Sequence, residues 1–467
     1  MSKRIFANLG FLLQISGLLT ILPIGIGLYF GENETLVPLL VTCVSFLGVG
    51  FLFNSLCERK DLDFKSANIL FVVAFLILPL IGAIPYFFSD PFTSPNVIDR
   101  FTNGIFESVS GFTTTGFSFI STPEALPTSM LVYRSLTELM GGVGIVFLLL
   151  AFFQSKKSLN NLGSSIGIDN VSSNLKRTFG SVLAIYGVFI IAFTILFYAI
   201  GFQNPITTGT FVIDTITGGF TPSAQAFQQY ISFTPEIFLI TLMLIGSLNF
   251  AFIYNLLTLK PRKAITTEVL TYFTIIAIGT VSVSLIANVN GIDSLFHVVS
   301  MSSSTGQSYL PLSAFGNTGL SILIVLGLIG GCTFSMAGGI RVARLVAFGK
   351  SIKECVMGTL TKEYAVSKPR KNAGENGNGL ENLSAPVSIL LFLFTFVIFA
   401  VIFTTIGVSF TDALFEVGSA ITTNGISMGA TTVTMGIGYK WLMIAAMTIG
   451  RVEILTILIA LIPFKKE

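Results

Sequence analysis

Four short stretches of the chain each combine several hydroxyl side chains with a glycine, and each lies between long apolar segments. They are residues 110–117, 214–220, 302–307 and 420–426, with the glycines Gly116, Gly219, Gly306 and Gly425. Glycine permits the backbone conformations that aim carbonyl oxygens at a common axis, and a ring of such oxygens can replace the hydration shell of K⁺. These residues therefore predict cation binding by backbone oxygen atoms.

The setting of the four stretches supports that interpretation. Each follows a short amphipathic segment and precedes an apolar span, which is the order of a potassium-channel pore unit. A single Thr-Gly pair in a membrane protein usually serves helix packing, but four copies in the same setting favour a selectivity filter. Because all four lie in one chain, they could close a ring without a second subunit.

Composition places most of the chain in lipid. Hydrophobic residues make up 52% of it and charged residues 10%, whereas soluble proteins carry about 25% charged residues. Apolar runs of about 20 residues predict roughly ten long spans, of which one is interrupted by a glycine-rich loop. The runs lie near 8–30, 36–55, 67–88, 130–153, 178–201, 234–258, 266–289, 314–332, 340–358, 385–408 and 437–463.

We expect an all-α polytopic membrane protein with four tandem span–pore helix–span units in a pseudo-fourfold arrangement around one pore. An N-terminal two-helix hairpin precedes the units. The expected boundaries are 1–59 for the hairpin, 60–155, 175–260 and 264–358 for the first three repeats, 359–383 for a cytoplasmic linker and 384–467 for the fourth repeat. The glycine-rich loop at 330–339 interrupts the second span of the third repeat.

The distribution of basic residues sets the orientation. With a cytoplasmic N-terminus, 22 of the 26 Lys and Arg residues fall on the cytoplasmic side, as the positive-inside rule requires. This predicts a multi-pass protein of the cell (inner) membrane with all four filter loops on the outer side. The net charge of +3 then reflects loop bias, and no nucleic-acid partner is expected.

Each of the short helices before a filter loop has a candidate start. Asn103, Asp293 and Asp412 all lie thirteen residues before their filter glycines, and Asn and Asp are good N-caps. In the second repeat Pro205 with Thr207 and Thr208 would take that role. A helix that enters from outside points its negative C-terminal end toward the pore axis, which favours a cation.

Further motifs extend these observations over nearly the whole chain. They are Gly141–Ile145 after the first filter, Ser247–Ala251 after the second, Gly338–Arg341 at the end of the glycine-rich loop, and Gly450–Glu453 in the last span. With the four filters and the N-terminal hairpin, they make the chain resemble the Trk/Ktr/HKT superfamily of potassium transporters, and most closely its TrkH type.

The resemblance implies an ion path along the pseudo-fourfold axis. K⁺ would bind backbone carbonyls of the two residues before each filter glycine, namely Thr114, Thr115, Thr217, Gly218, Ser304, Thr305, Thr423 and Asn424. Glycine at all four filter positions favours K⁺, since Na⁺-selective relatives carry Ser at one of them. The resemblance also implies a homodimer in membrane lipid and a cytosolic nucleotide-binding regulatory ring of the TrkA type. K⁺ is the transported ion, and no cofactor is expected.

The glycine-rich loop is a candidate gate. Its residues are Gly331, Cys332, Thr333, Phe334, Ser335, Met336, Ala337, Gly338 and Gly339. A helix kink is the simpler interpretation, but irregular backbone at membrane depth is tolerated where it lines a water-filled cavity. Phe334 and Met336 are bulkier than the Ser/Gly-rich stretch usual in relatives, and Gln307 stands where the first two repeats have an apolar residue.

Several charged or titratable residues lie near the expected pore. Arg451 falls within a span, so it is a candidate electrostatic barrier of the gate, with an ion pair to Glu138 or Glu416 as the alternative. Glu107, His297 and Glu416 lie nine residues before their filter glycines. We expect them to anchor the pore helices by hydrogen bonds rather than to bind ions.

The function predicted from the sequence is passive K⁺ uptake through a channel-like pore with an intramembrane gating loop. The alternative is a K⁺ symporter coupled to H⁺ or Na⁺. A coupled symporter needs a titratable relay, and no chain of Asp, Glu or His crosses the spans. A membrane enzyme is excluded because the single His and the lack of a Ser/Lys or paired-Asp signature leave no catalytic group.

Overall fold

The computed structural model describes residues 2–56, 62, 64–152, 175–202, 204–221, 233–360 and 379–462. The regular structure within those residues is helical. The expected linker 359–383 and the polar connection 154–177 lie largely outside the described residues, so the domain boundaries drawn there stay predictions.

The N-terminal hairpin and the first repeat form six helices. The hairpin consists of α1 (Ser2–Phe30) and α2 (Asn33–Leu56), and the repeat consists of α3 (Phe64–Gly82), α4 (Ile84–Ser89), the pore helix α5 (Val97–Phe112) and α6 (Thr128–Phe152). The carboxylate of Glu32, at the tip of the hairpin, accepts hydrogen bonds from the amides of Thr128 and Ser129 at 2.7 and 2.9 Å. The hairpin therefore satisfies the free amides at the start of α6.

Five helices of the second repeat lie within its described residues. They are α7 (Leu175–Ile200), the pore helix α8 (Pro205–Thr217), α9 (Phe233–Ser247), α10 (Phe250–Leu257) and the short α11 (Pro261–Ala264). The third repeat contains α12 (Thr267–Ala287), the pore helix α13 (Gly291–Ser302), α14 (Gly316–Ile329) and α15 (Val342–Leu360). The fourth contains α16 (Gly379–Thr404), the pore helix α17 (Phe410–Ile421), α18 (Ile437–Val452) and α19 (Ile454–Leu461).

The helices agree with an all-α polytopic membrane protein of four tandem units. Among the described residues, seven helices are long and apolar enough to cross a membrane, and two further pairs pass the same test but are bent. One apolar core lies between the second and third repeats and includes Tyr272, Phe296 and Phe334. Another lies between the first and fourth repeats and includes Phe106 and Met447.

The expectation of one broken span is wrong, because three of the four second spans are broken. The helices α9 and α10 meet at 114°, and α18 and α19 meet at 89°, so neither 234–258 nor 437–463 is continuous. Asn249 begins α10, where its side chain accepts a hydrogen bond from the amide of Phe252 at 2.6 Å. At the other break, Glu453 has a φ of 68°, which cannot continue a right-handed helix.

The predicted pore-helix caps are also wrong. The first, second and fourth pore helices are capped by the side chains of Asn96, Asn204 and Ser409, and the third begins after Asn290 without a side-chain cap. Asp293 and Asp412 instead occupy the third helical position, where a carboxylate still favours the positive end of the helix.

Asn103 and the three residues named for the second repeat also have other roles. Asn103 is buried within α5, well past its first turn. Pro205 is the first residue of α8, a position that suits it. The hydroxyls of Thr207 and Thr208 donate back to the Asn204 carbonyl at 3.1 and 2.7 Å. The error arose because the sequence around these helices offers several Asn, Asp and Ser residues that could begin them.

In three repeats, a glycine in the second span lets that span lie close against the end of the pore helix. A Cβ at Gly141, Gly246 or Gly450 would lie against the carbonyl of Phe112, Ile216 or Ile421, respectively. Each of those carbonyls belongs to the end of the pore helix in the same repeat. Two of the motifs that carry the family resemblance therefore contain glycines that let a spanning helix support a filter loop from below.

Candidate ion pathway

The four filter loops form a closed ring in chain order. A Cβ added at a filter glycine would come closer than 3.0 Å to the backbone carbonyl of the next loop, a separation that real Cβ atoms do not show. The contacts run from Gly116 to the Gly218 carbonyl, from Gly219 to Thr305, from Gly306 to Asn424, and from Gly425 to Thr115. The carbonyl of the residue before each filter glycine thus lies against the filter glycine of the preceding loop.

The backbone of the loops is similar in three repeats. Thr114, Ser304 and Thr423 have φ values of 54°, 58° and 55°, and the glycine two residues later is also positive in each case. A left-handed conformation costs a residue other than glycine about 1–2 kcal/mol, so the surrounding structure must impose it. Such strain is often found where backbone is held for function.

The second loop has a different backbone. Its pore helix continues to Thr217, and Gly218 is extended with a φ of −176°. The amides of Gly218 and Gly219 both donate to the carbonyl of Asp214, at 3.0 and 2.8 Å. The backbone conformation of the second loop therefore differs from that of the other three loops in the ring.

The eight residues expected to bind K⁺ lie together and are buried. Hydroxyl side chains bond to one another beside the ring: Thr113 to Thr115 at 2.7 Å, and Ser303 to Thr305 at 2.9 Å. Among the described residues, the buried hydroxyls of Thr114 and Thr423 and the amide oxygen of Asn424 have no hydrogen-bond partner. Unpaired buried oxygen atoms are costly in a protein core, and here they belong to residues of the filter ring.

Side chains nine residues before the filter glycine form hydrogen bonds in three repeats, as the sequence predicted, and their partners lie in the filter loops. Glu107 accepts from the Ser118 hydroxyl at 2.8 Å, and Glu416 accepts from the Ser427 hydroxyl at 2.7 Å. In the third repeat the Nε2 atom of His297 lies 3.1 Å from the Ser308 hydroxyl. The serine is two residues after the glycine each time, so a bond from the pore helix holds the outer end of each loop.

The glycine-rich loop lies directly beneath the filter and contacts every repeat. The amides of Cys332 and Met336 donate to the carbonyls of Ser247 and Gly246, both at 2.9 Å. The amide of Gly338 donates to the Ser304 hydroxyl at 3.0 Å.

Contacts with the other two repeats complete the enclosure of this loop. The Met336 sulfur would lie 3.2 Å from a Cβ at Gly142 in the first repeat, and the Thr422 carbonyl of the fourth repeat lies beside Gly338. Thr333 is half-buried and the other predicted gate residues from Gly331 to Gly339 are buried. The loop is therefore enclosed by residues of all four repeats.

Arg451 is buried against this loop. Its Nη1 atom donates to the Met336 carbonyl at 2.7 Å, and Nη2 lies 3.5 Å from the Gly141 carbonyl. The alternative of an ion pair with Glu138 or Glu416 is not seen among the described residues. Arg451 thus places its charge beside the candidate gate and holds the loop through backbone oxygen atoms.

Sequence reasoning missed a group of ion pairs below the loop. Glu453 lies 2.5 Å from Arg344 and 3.7 Å from Arg341, which joins the break in the last span to the start of α15. Arg341 and Glu453 stood in the sequence as motif residues, at the end of the glycine-rich loop and in the last span, whereas Arg344 belonged to no motif. Their separation in the chain concealed that the two motifs form one contact.

Comparisons with known proteins agree with this architecture. Residues 149–466 match the TrkH family model, described as a cation transport protein. The chain is 28% identical over 97% of its length to an uncharacterized cation transporter of Methanocaldococcus jannaschii, covering 93% of that protein. It is 24% identical to the Trk system potassium uptake protein TrkG of Escherichia coli, covering 96% of each chain.

The fold has a counterpart among solved structures. The crystal structure of the potassium transporter TrkH from Vibrio parahaemolyticus superposes with a TM-score of 0.84 at 21% sequence identity, covering 99% of both chains. At that identity the likeness concerns the fold. The family match spans more than half of the chain and describes a membrane transporter rather than an enzyme. The chain belongs to the TrkH family of cation transport proteins.

Proposed function

We propose that this protein takes up potassium through a single-chain pore whose filter is the ring of carbonyls at Gly116, Gly219, Gly306 and Gly425. The observation that carries the proposal is the closure of that ring, in which each filter glycine lies against a carbonyl of the next loop. K⁺ is selected where backbone oxygen atoms replace its hydration shell. The names of the potassium uptake relatives in Escherichia coli and Halomonas elongata support the same ion.

The eight residues before the glycines would supply the ligands, and the loop Gly331–Gly339 would gate the path. The loop would obstruct the axis through a few hydrogen bonds and packing contacts with the four repeats, which a displacement of the loop would break. Arg451 would add an electrostatic barrier, because a fixed positive charge beside the path repels a passing cation.

The setting that we propose is the cell (inner) membrane, with a cytoplasmic N-terminus and the filter on the outer side. In that orientation the pore helices point their C-terminal carbonyls inward to the ring, where a cation is favoured. The protein would work as a homodimer, with a cytosolic nucleotide-binding ring of the TrkA type on the basic inner surface. Relatives whose names assign them to a Trk system support such a partner.

The test is flux through the purified protein in liposomes. We expect K⁺ uptake driven by the K⁺ gradient alone, at a rate that an opposing H⁺ or Na⁺ gradient does not change. Uptake that stops without an inward H⁺ or Na⁺ gradient would establish the coupled symporter instead. Absence of K⁺ flux, with transport of another cation, would refute the assignment of the ion.

A further inference from the structure

Within the described residues, which end at Thr221 on this side, the second filter loop shows no brace like that of the other three loops. Nine residues before Gly219 the chain has Thr210, whose hydroxyl donates to the Thr207 carbonyl at 2.8 Å within its own helix. Glu107, His297 and Glu416 occupy this position in the other repeats and hold the outer end of their loops. Thr210 does not reach across in that way, so the second loop must be held by another group.

Glu138, from the second span of the first repeat, bonds to this loop. Its Oε1 atom accepts from the amide of Phe220 at 3.1 Å, and its Oε2 atom accepts from the hydroxyl of Thr217 at 3.3 Å. The side chain is fully buried. The two bonded residues flank Gly218 and Gly219, so one carboxyl group fixes both ends of the segment whose carbonyls enter the ring.

Arg134 lies one helical turn before Glu138 and also contacts the second filter loop. Its guanidinium group lies 4.2 Å from the ring centre of Phe220, a distance typical of a cation–π contact. It also bonds to Glu107 at 2.9 Å and to the Ser118 hydroxyl at 3.1 Å. The helix α6 therefore touches the first and second filter loops at once through two side chains on one face.

We propose that Glu138 is a positioning residue for cation selectivity, which holds the second filter loop in place of a brace from its own pore helix. The inference rests on the proposed potassium function. Both carboxylate oxygens bond to the loop itself, so Glu138 acts through the position of the Thr217 and Gly218 carbonyls and does not bind the ion.

The geometry also predicts which substitution is tolerated. Glutamine retains an amide oxygen that can accept from the Phe220 amide. Its NH₂ group can donate to the hydroxyl oxygen of Thr217, which itself donates to the Ile213 carbonyl at 2.7 Å. Alanine retains neither contact and leaves the Phe220 amide without its acceptor in a buried site, while the Thr217 hydroxyl keeps its bond to the Ile213 carbonyl at 2.7 Å. The role depends on the acceptor and not on the charge, so Glu138→Gln should retain the selectivity that Glu138→Ala loses.

The experiment compares the wild type, Glu138→Ala, Glu138→Gln and the control Glu34→Gln as full-length protein in liposomes. Glu34 is an exposed carboxylate of the hairpin. The readout is the ratio of K⁺ to Na⁺ permeability. We expect the ratio to fall roughly tenfold for Glu138→Ala, as for the loss of a buried hydrogen bond. Glu138→Gln and Glu34→Gln should remain within about twofold of the wild type.

A second measurement reports ion preference for a variant whose flux is too low to give a permeability ratio. The shift in melting temperature on replacing Na⁺ with K⁺ reports ion preference without flux, and we expect Glu138→Ala to reduce that shift. If Glu138→Ala does not fold, Thr217→Val removes one of the two bonds and should lower the permeability ratio by a smaller factor.

The outcomes separate this inference from the proposed function. A wild type that prefers K⁺, with a folded Glu138→Ala variant that prefers it equally, would overturn the role of Glu138 alone. Equal loss in Glu138→Ala and Glu138→Gln would show that charge is what matters, which also overturns it. A wild type with neither K⁺ flux nor a K⁺-specific thermal shift would overturn the proposed function and this inference with it.

Discussion

At the scale of single residues, the filter depends on the absence of side chains. Gly306 has a φ of +67°, and a Cβ there would overlap the Asn424 carbonyl and lie 3.3 Å from Ile426. A side chain at this position must therefore push the next loop away. The same argument applies at Gly116, where the Gly218 carbonyl lies 2.5 Å from the Cβ position.

We expect Gly306→Ser and Gly116→Ser to narrow the preference for K⁺ over Na⁺, because each displaces a carbonyl of the ring and adds a hydroxyl. Gly25→Ser is the matched control, since nothing lies within 4 Å of that Cβ position. The measurement is the permeability ratio in reconstituted flux. An unchanged ratio in both filter variants would argue against the filter assignment.

Arg451 offers a second prediction, in which charge and hydrogen bonding can be separated. A unit charge about 4 Å from a passing cation costs about 4 kcal/mol at an effective dielectric constant of about 20. Arg451→Ala should raise K⁺ flux severalfold, because it removes both the charge and the bond to the Met336 carbonyl. Arg451→Gln keeps a donor and removes the charge, so it should also raise the flux if the barrier is electrostatic.

The flux of folded Arg451 variants decides between the two interpretations. A rise in Arg451→Ala without a rise in Arg451→Gln would assign the effect to the anchoring of the loop. Equal or lower flux in both variants would show that Arg451 is a structural residue and that the barrier lies elsewhere.

At the scale of elements, the glycine-rich loop is the segment that we propose as the gate, and its bulky side chains are Phe334 and Met336. The Phe334 ring packs against Phe250 with 6.2 Å between the ring centres, and Met336 lies beside Gly142. Phe334 also has a φ of 59°, a conformation that glycine adopts without cost. Glycine at positions 334 and 336 should preserve the backbone conformation of the loop and remove the two bulky side chains from the proposed ion path.

We expect Phe334→Gly combined with Met336→Gly to raise K⁺ flux in the absence of any partner protein. Phe88→Ala, an exposed position on α4, is the control for loss of an aromatic side chain in a membrane helix. The measurement is flux at matched amounts of folded protein. A double variant that conducts like the wild type would identify the loop as a passive break in the span.

At the scale of the whole molecule, the ring must close between the fourth and first repeats. The ammonium group of Lys440 on α18 bonds to the Asn103 side-chain oxygen at 2.7 Å and lies 3.8 Å from Asp99. These partners are 337 residues apart, and Lys440 is buried. The contact joins the last spanning helix to the first pore helix, so it stabilises the closed arrangement.

Lys440→Met should therefore destabilise the protein by about 1.5–3 kcal/mol, the contribution of a hydrogen bond that involves a charged group. A lower melting temperature in detergent measures the effect. Asn103→Ala should cost a similar amount, and the double variant should cost less than the two together, since the two residues act as a pair. Additive losses would mean that they stabilise the molecule independently.

The cytoplasmic surface carries the last prediction. The helix α15 leads from the candidate gate to a basic segment, with Arg341 and Arg344 joined to Glu453 at the break of the last span. A partner bound there could move the gate through this connection. We expect the protein to purify as a dimer and to bind a soluble nucleotide-binding protein that is expressed with it. We also expect the double variant Phe334→Gly with Met336→Gly to weaken the effect of that partner on K⁺ flux. A monomer that binds no such protein would contradict the proposed assembly.

The sequence alone determined the features that depend on local pattern. The spans follow from apolar runs, and the hydrogen-bonding role of Glu107 and Glu416 follows from their constant spacing before a glycine. The assignment of the four glycines to a filter stays a prediction. Each of these rests on residues close together in the chain, where backbone geometry and periodicity limit the possible structures. The predicted caps were wrong because the local sequence allows more than one helix start. Asn96 and Asn103 are both acceptable N-caps, and the sequence does not choose between them.

Only the tertiary structure decided which distant residues meet. Nothing near Glu138 in the chain shows that it bonds to Phe220, and nothing near Arg451 shows that its partner is the carbonyl of Met336 rather than a carboxylate. The breaks at Asn249 and Glu453 likewise depend on contacts made by helices from other repeats. A buried polar group without a hydrogen-bond partner is costly in free energy, so most such groups are paired. Which partner each one has depends on how the four repeats pack around the axis, and the local sequence does not encode that packing.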